Sequence, residues 1–138
     1  AIVANARALA DALMSEGLPV STGGTDNHLV LFDATKLGAT GKQAAKAMDI
    51  AGLEANFNSI PFDPRSPFDP SGVRLGTPAL TSRGLGADHM RQIGQWIARA
   101  IRGREDAVEL ARVRGEVFDL MAQFPPPGFA LPYPARPA

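Results

Sequence analysis

The sequence predicts an α+β fold: a small, mostly antiparallel sheet packed against helices. Three observations lead there. Segments with helical periodicity interleave with short runs of strand formers. Several of those runs stand too close together for a full helical crossover, which leaves antiparallel pairing. The 138 residues, 45% hydrophobic and 20% charged, are enough for one globular domain that buries a core by itself.

Ile2, Ala6, Leu9, Ala10 and Leu13 recur at helical spacing, and Gly17 followed by Pro19 ends that helix. Val20 belongs to a neighbouring strand or turn. Residues 28–33, HLVLFD, are rich in strand formers and bounded by Gly23-Gly24 and a polar turn, so they predict a central strand. Thr40 and Gln43 stand three residues apart in a capping-box pattern, and Ala44, Ala47, Met48 and Ala51 then line one helical face up to Gly52.

A short strand is expected over Leu53 to Phe57. The proline-dense stretch from Pro61 to Pro70 cannot hold regular structure, because each proline removes a donor and fixes its backbone, so it is a shaped loop. Val73 to Leu75 predicts another strand, ended by Thr77-Pro78. Met90, Ile93, Trp96, Ile97 and Ile101 mark an amphipathic helix, and Leu110, Val113, Val117, Leu120 and Met121 mark a second after a break at Gly103. The tail from Pro125 is too rich in proline to be helical. The expected division is a domain over 1–124 and a proline-rich tail over 125–138. The start at Ala1, without methionine and inside a helical pattern, suggests a piece of something longer.

Fourteen basic and fourteen acidic side chains cancel, and no basic-aromatic run appears, so the electrostatic footprint of a nucleic-acid binder is missing. With no cysteine there is no disulfide scaffold, thiolate metal site or cysteine nucleophile, a pattern in keeping with the cytoplasm. No apolar run approaches the roughly 20 residues that span a bilayer, so no membrane association is expected. His28 and His89 are too few and too differently placed for a metal cage, so no metal is expected. His89, beside Asp88 at a helix start, reads as a solvated polar position, and His28 as the end of a tight turn built from Gly23 to Asn27.

Two glycine motifs fall away on inspection. Gly38 to Lys42 resembles the end of a phosphate-binding loop, but Lys36 stands where the first glycine is needed and Gln43 where a hydroxyl is needed. Gly84-Leu85-Gly86 lacks a third glycine, with His89 in its place, and reads as a turn into a helix.

The candidate site lies within Asn56 to Arg83. Arg74 sits in a short apolar strand between Gly72 and Gly76, a setting that points to shielding from solvent. A guanidinium keeps its charge and presents a planar fork that matches a carboxylate, so a shielded one needs an acidic partner. That partner is either a ligand's acid group or one of the chain's own carboxylates. Arg65 and Arg83, in loop positions, either face water or touch a ligand. Asn56, Asn58, Ser59 and the Phe62 to Phe68 loop combine amides with aromatic faces, which suits either a flat heterocycle or plain structure.

The segments STGGTDNHLVLFD, NFNSIPFDPRSPF and SGVRLGTPALTSRG, in this order and spacing, resemble the corresponding segments of serine hydroxymethyltransferases, and GADHMRQIGQWIARAI is similar to a later helix of that family. The likeness covers nearly the whole chain and places it in the C-terminal small domain. It implies a pyridoxal-phosphate enzyme of the aspartate-aminotransferase fold type, which interconverts serine and tetrahydrofolate with glycine and 5,10-methylenetetrahydrofolate. By the same resemblance Arg74 would bind the amino-acid carboxylate, Arg83 would support it, Asn58 would hydrogen-bond the folate ring, and Phe68 would lie near that folate. Thr25 to His28 match the segment that leads a strand of the small domain.

The departures carry as much weight. The family holds its cofactor on a lysine in a threonine-rich histidine-lysine motif, whereas the lysines here are Lys36, Lys42 and Lys46, none in such a context. The histidine that stacks on the cofactor and the aspartate that pairs with its pyridine nitrogen belong to a large domain outside this sequence. No residue here is therefore expected to be catalytic or to bind the cofactor, and the chain alone is expected to be inert. The expected partners are that large domain, serine or glycine, and folate, within a cytoplasmic homodimer. Two other readings stand beside this one: a free-standing, non-catalytic module binding folate or a small acid or a separately encoded partner, and the small domain of another enzyme of the same fold type, such as a threonine aldolase. The Asn58 segment speaks against the last, since a folate pocket would have no purpose there.

Overall fold

The computed structural model describes residues 2–21, 29–76 and 78–125. The order of elements is α1 (Ile2–Ser15), β1 (Leu29–Asp33), a 3-10 turn (Ala34–Leu37), α2 (Gly41–Ile50), β2 (Asn56–Asn58), β3 (Gly72–Gly76), α3 (Pro78–Ser82), α4 (Ala87–Arg102) and α5 (Ala107–Ala122). The α+β class is the expected one. Gly23 to Asn27, His28 and the tail beyond Pro125, on which further expectations rest, lie outside the described residues.

Both neighbours of β3 run antiparallel to it, in the order β1-β3-β2. This corrects the expectation that the strand after Gly23-Gly24 is the central one. β3 takes the centre, and among the described residues β1 has on its other side only the isolated bridge Val20 to Phe32. β2 also begins later than predicted, at Asn56 rather than Leu53, because Leu53 donates its backbone N–H to Met48 in closing α2.

Alternation along the strands divides the sheet into two faces. Val30, Phe32, Val73 and Leu75 are buried beneath the helices, together with Leu9, Leu13, Met48, Met90, Ile97 and Ile101. Burying this apolar set is the main stabilising contribution, at about 25 cal/mol per Å² removed from water. The helices pack closely enough to restrict residue size: a Cβ on Gly94 of α4 would lie 2.6 Å from Ala12 Cβ of α1.

Local signals end the elements where the residues predict. Gly17 and Gly52 adopt left-handed φ of 88° and 84° just after α1 and α2. Thr40 Oγ1 accepts from Gln43 N at 3.1 Å, and Gln43 Oε1 accepts from Thr40 N at 3.0 Å, so the Gly38 to Lys42 motif is a helix cap. Helix α3 was not legible, because proline after threonine reads as a strand end, although proline is also favoured in a helix's first turn. Buried Asn5 of α1 bonds Thr81 Oγ1 at 2.8 Å and Leu85 O at 2.9 Å, which ties the first helix to the α3–α4 connection. Arg99 of α4 pairs with Glu109 and Glu116 of α5, and Trp96 Nε1 donates to Glu116 at 3.2 Å.

Candidate functional site

The face of the sheet turned away from the helices carries Arg74. In the antiparallel register Arg74 stands opposite Leu31 on one side and Asn56 on the other, while Asn58 stands opposite Gly72. Paired residues and residues two apart share a face, so Arg74, Asn56 and Asn58 emerge together. Gly72 allows this arrangement: a Cβ there would meet Asn58 O and Ile60 Cγ2 at 2.6 Å.

Arg74 is exposed, which corrects the expectation of shielding. Val73 and Leu75 are its neighbours along the chain but not its surroundings, because adjacent residues in a strand point to opposite faces. Among the described residues the guanidinium has no hydrogen bond or ion pair, and the rival reading, a buried salt bridge to an internal carboxylate, finds no partner there. Arg74 lines a polar cleft of about 370 Å³ with Asp49, Glu54, Asn56 and Gly76.

The other arginines are committed locally. Arg83 donates from Nε to Phe124 O at 2.6 Å and from a terminal nitrogen to Met121 O at 3.1 Å, so it caps the end of α5. It also borders an apolar cavity of about 410 Å³ with Leu80, Trp96 and Met121. That cavity adjoins the Arg74 cleft, and both are lined by Glu54, Leu75 and Gly76. Arg65 donates to the carbonyl of Asp69 at 2.9 Å and to its carboxylate at 2.8 Å. The Asp69 carboxyl is held below its usual range, first by the Thr40 hydroxyl and then, against the opposing effect of burial, by Arg65.

Asn58 is half-buried, and its amide donates to Ser59 O at 2.8 Å. Phe68 and Phe62 stand out into solvent, at 84% and 104% exposure, and Phe57 is partly bare, with Lys42 Nζ 5.6 Å from its ring centre. Phe62 holds a left-handed φ of 57°, unusual for an aromatic residue.

His89 corrects a second expectation. Its Nδ1 accepts from Gly86 N at 2.9 Å, and its ring meets Phe124 edge-on at 4.9 Å, so it caps α4 and packs on the chain leaving α5 instead of facing water. Its position three residues into the helix could have revealed the cap, since a side-chain acceptor there can reach back to the first free N–H.

A model of the family described as serine hydroxymethyltransferase matches residues 1–97, more than half of the chain. The chain belongs to the serine hydroxymethyltransferase family. Serine hydroxymethyltransferases of Acidothermus cellulolyticus and Sorangium cellulosum are 53% and 52% identical to it over 92% and 94% of its length, and that of Rhodopirellula baltica is 48% identical over 94%. The chain spans about 31% of the length of each of these relatives.

The family implies pyridoxal phosphate, and the described residues do not fit it. A Schiff-base lysine needs a desolvated setting that lowers its pKa. Lys36, Lys42 and Lys46 are all exposed, and none lines either cleft beside Arg74. No helix among the described residues is long and apolar enough to cross a membrane.

Proposed function

We propose that this chain is the C-terminal small domain of a serine hydroxymethyltransferase that binds substrate for chemistry done elsewhere in the enzyme. Arg74 takes the carboxylate of serine or glycine, Asn58 and Phe68 meet the ring system of tetrahydrofolate, and the pyridoxal phosphate is held by the large domain. The observation that carries this reading is the shared open face: an unengaged guanidinium beside two asparagines, with the helices occupying the opposite side. A carboxylate matches the guanidinium fork in two parallel bonds, and a second wall from the large domain would exclude water and strengthen them. Arg83, already bonded to the end of α5, supports the site by fixing the apolar cavity that adjoins the Arg74 cleft rather than by holding substrate. The contribution of the domain is positioning, and alone it is inert. Dimerisation in the cytoplasm through the large domain completes the reading.

The test is Arg74→Lys in the complete enzyme. A point-charge ammonium cannot reproduce the fork, so KM for serine and Kd for glycine should both rise by at least about tenfold. Unchanged affinity for both would reject the assignment. Calorimetric titration of the 138-residue chain with glycine or tetrahydrofolate should show no binding; clear binding would favour a free-standing module.

A further inference from the structure

We propose that Asp63 is a positioning residue for tetrahydrofolate: it closes the neck of the 59–71 loop and so sets folate affinity without touching the ligand. The inference rests on the reading of Asn58 and Phe68 given above. One carboxylate collects four donors. Oδ2 accepts from Ile60 N at 3.2 Å and Ser71 N at 2.9 Å, and Oδ1 accepts from Arg65 N at 2.9 Å and Ser71 Oγ at 2.7 Å. These donors come from the loop's first residues, its interior and its last residue. Ile60 lies two residues beyond Asn58, and Ser71 directly precedes Gly72, the ladder partner of Asn58.

Packing cannot hold this loop. Between Pro61 and Asp69 only Asp63 and Asp69 are even half-buried, and both phenylalanines are bare. The left-handed φ of Phe62, immediately before Asp63, also costs energy that some nearby contact must offset. The polar closure is the contact available, helped by the Arg65 to Asp69 pair further along. Three of the four groups facing Asp63 are backbone N–H donors spread over both of its oxygens, so only a side chain that accepts at both positions satisfies them all. An asparagine would turn its NH2 against at least one of these N–H groups. Burial pushes the Asp63 carboxyl up, but the bonds from Ser71, Arg65 and Ile60 outweigh it and hold it at about 2, so the clamp stays ionised wherever the enzyme works.

Arg74 is anchored differently, by ladder pairing to β1 and β2 on both sides, and should not depend on the clamp. The experiment is therefore a split of affinities. In the complete enzyme Asp63→Asn should raise KM for tetrahydrofolate about tenfold while KM for serine stays within about twofold. Amide exchange at Arg65 and Ser71 should quicken. Ser71→Ala, which removes one donor and leaves the fold intact, should raise the folate KM in the same direction by less.

Folate KM unchanged in both variants, while Asn58→Ala weakens folate, overturns the role of Asp63 and leaves the folate reading standing. An equal rise for serine and folate would mean a general loss of structure and also overturns it. Asn58→Ala and Phe68→Ala without effect on folate would sink the underlying reading and the positioning role with it.

Discussion

Asn58 and Arg74 emerge on the same face of the sheet because Asn58 pairs with Gly72, two residues before Arg74. The register therefore couples the two proposed ligand contacts, and a one-residue slip would send Arg74 to the core face. What protects that register is also what sets the site.

Gly41→Ala should disrupt the approach of α2 to the strand. A Cβ there would lie 2.2 Å from Gly72 O and 2.9 Å from Pro70 O, both backbone atoms that cannot rotate away. A loss of about 3 kcal/mol or more is expected in urea unfolding of the chain, since overpacking commonly costs 1–3 kcal/mol and backbone yields least.

Removing the cap of the same helix should be milder. Thr40→Ala loses the acceptor for Gln43 N and the hydroxyl beside Asp69, and should cost about 1 kcal/mol by the same measurement. Thr40→Ser, which keeps the oxygen, should stay near the parent.

Asp63 gives the stability a defined acid limb. In the folded chain its pKa is held at about 2, below the ordinary aspartate value of 3.8. A depressed carboxyl stabilises above the unfolded value, and that contribution fades as pH falls from about 4 towards 2. Unfolding free energies of the parent and Asp63→Asn should therefore differ by about 1 kcal/mol at pH 5, after discounting for solvent screening, and converge near pH 2. A gap that persists undiminished at pH 2 would show that the charge is not its source.

Arg83→Ala should loosen the end of α5. The carbonyls of Met121 in the last turn and of Phe124 just beyond it lose a donor, so a cost of about 1–3 kcal/mol is expected, with faster amide exchange confined to the end of α5 and the residues after it. In the complete enzyme Arg83→Lys should change serine KM far less than Arg74→Lys does, which separates the capping arginine from the receiving one.

Much of this molecule was legible in its residues. Helical spacing, the Thr40 to Gln43 cap, the glycine stops and the β-branched or aromatic runs are local signals, each settled within a few residues, and they located four of the five helices among the described residues and all three strands. The family likeness was legible too, in the segments around Asn58, Arg74 and Arg83. What only the tertiary structure decided is which way those side chains turn and what meets them. β3 rather than β1 takes the centre because pairing is a long-range choice. Arg74 is open because strand alternation sends it away from Val73 and Leu75. Arg83 and His89 are engaged because α5 ends beside them, 38 and 35 residues further on. Composition and spacing report a residue's neighbours along the chain, whereas burial, pairing and freedom to receive a ligand depend on neighbours in space.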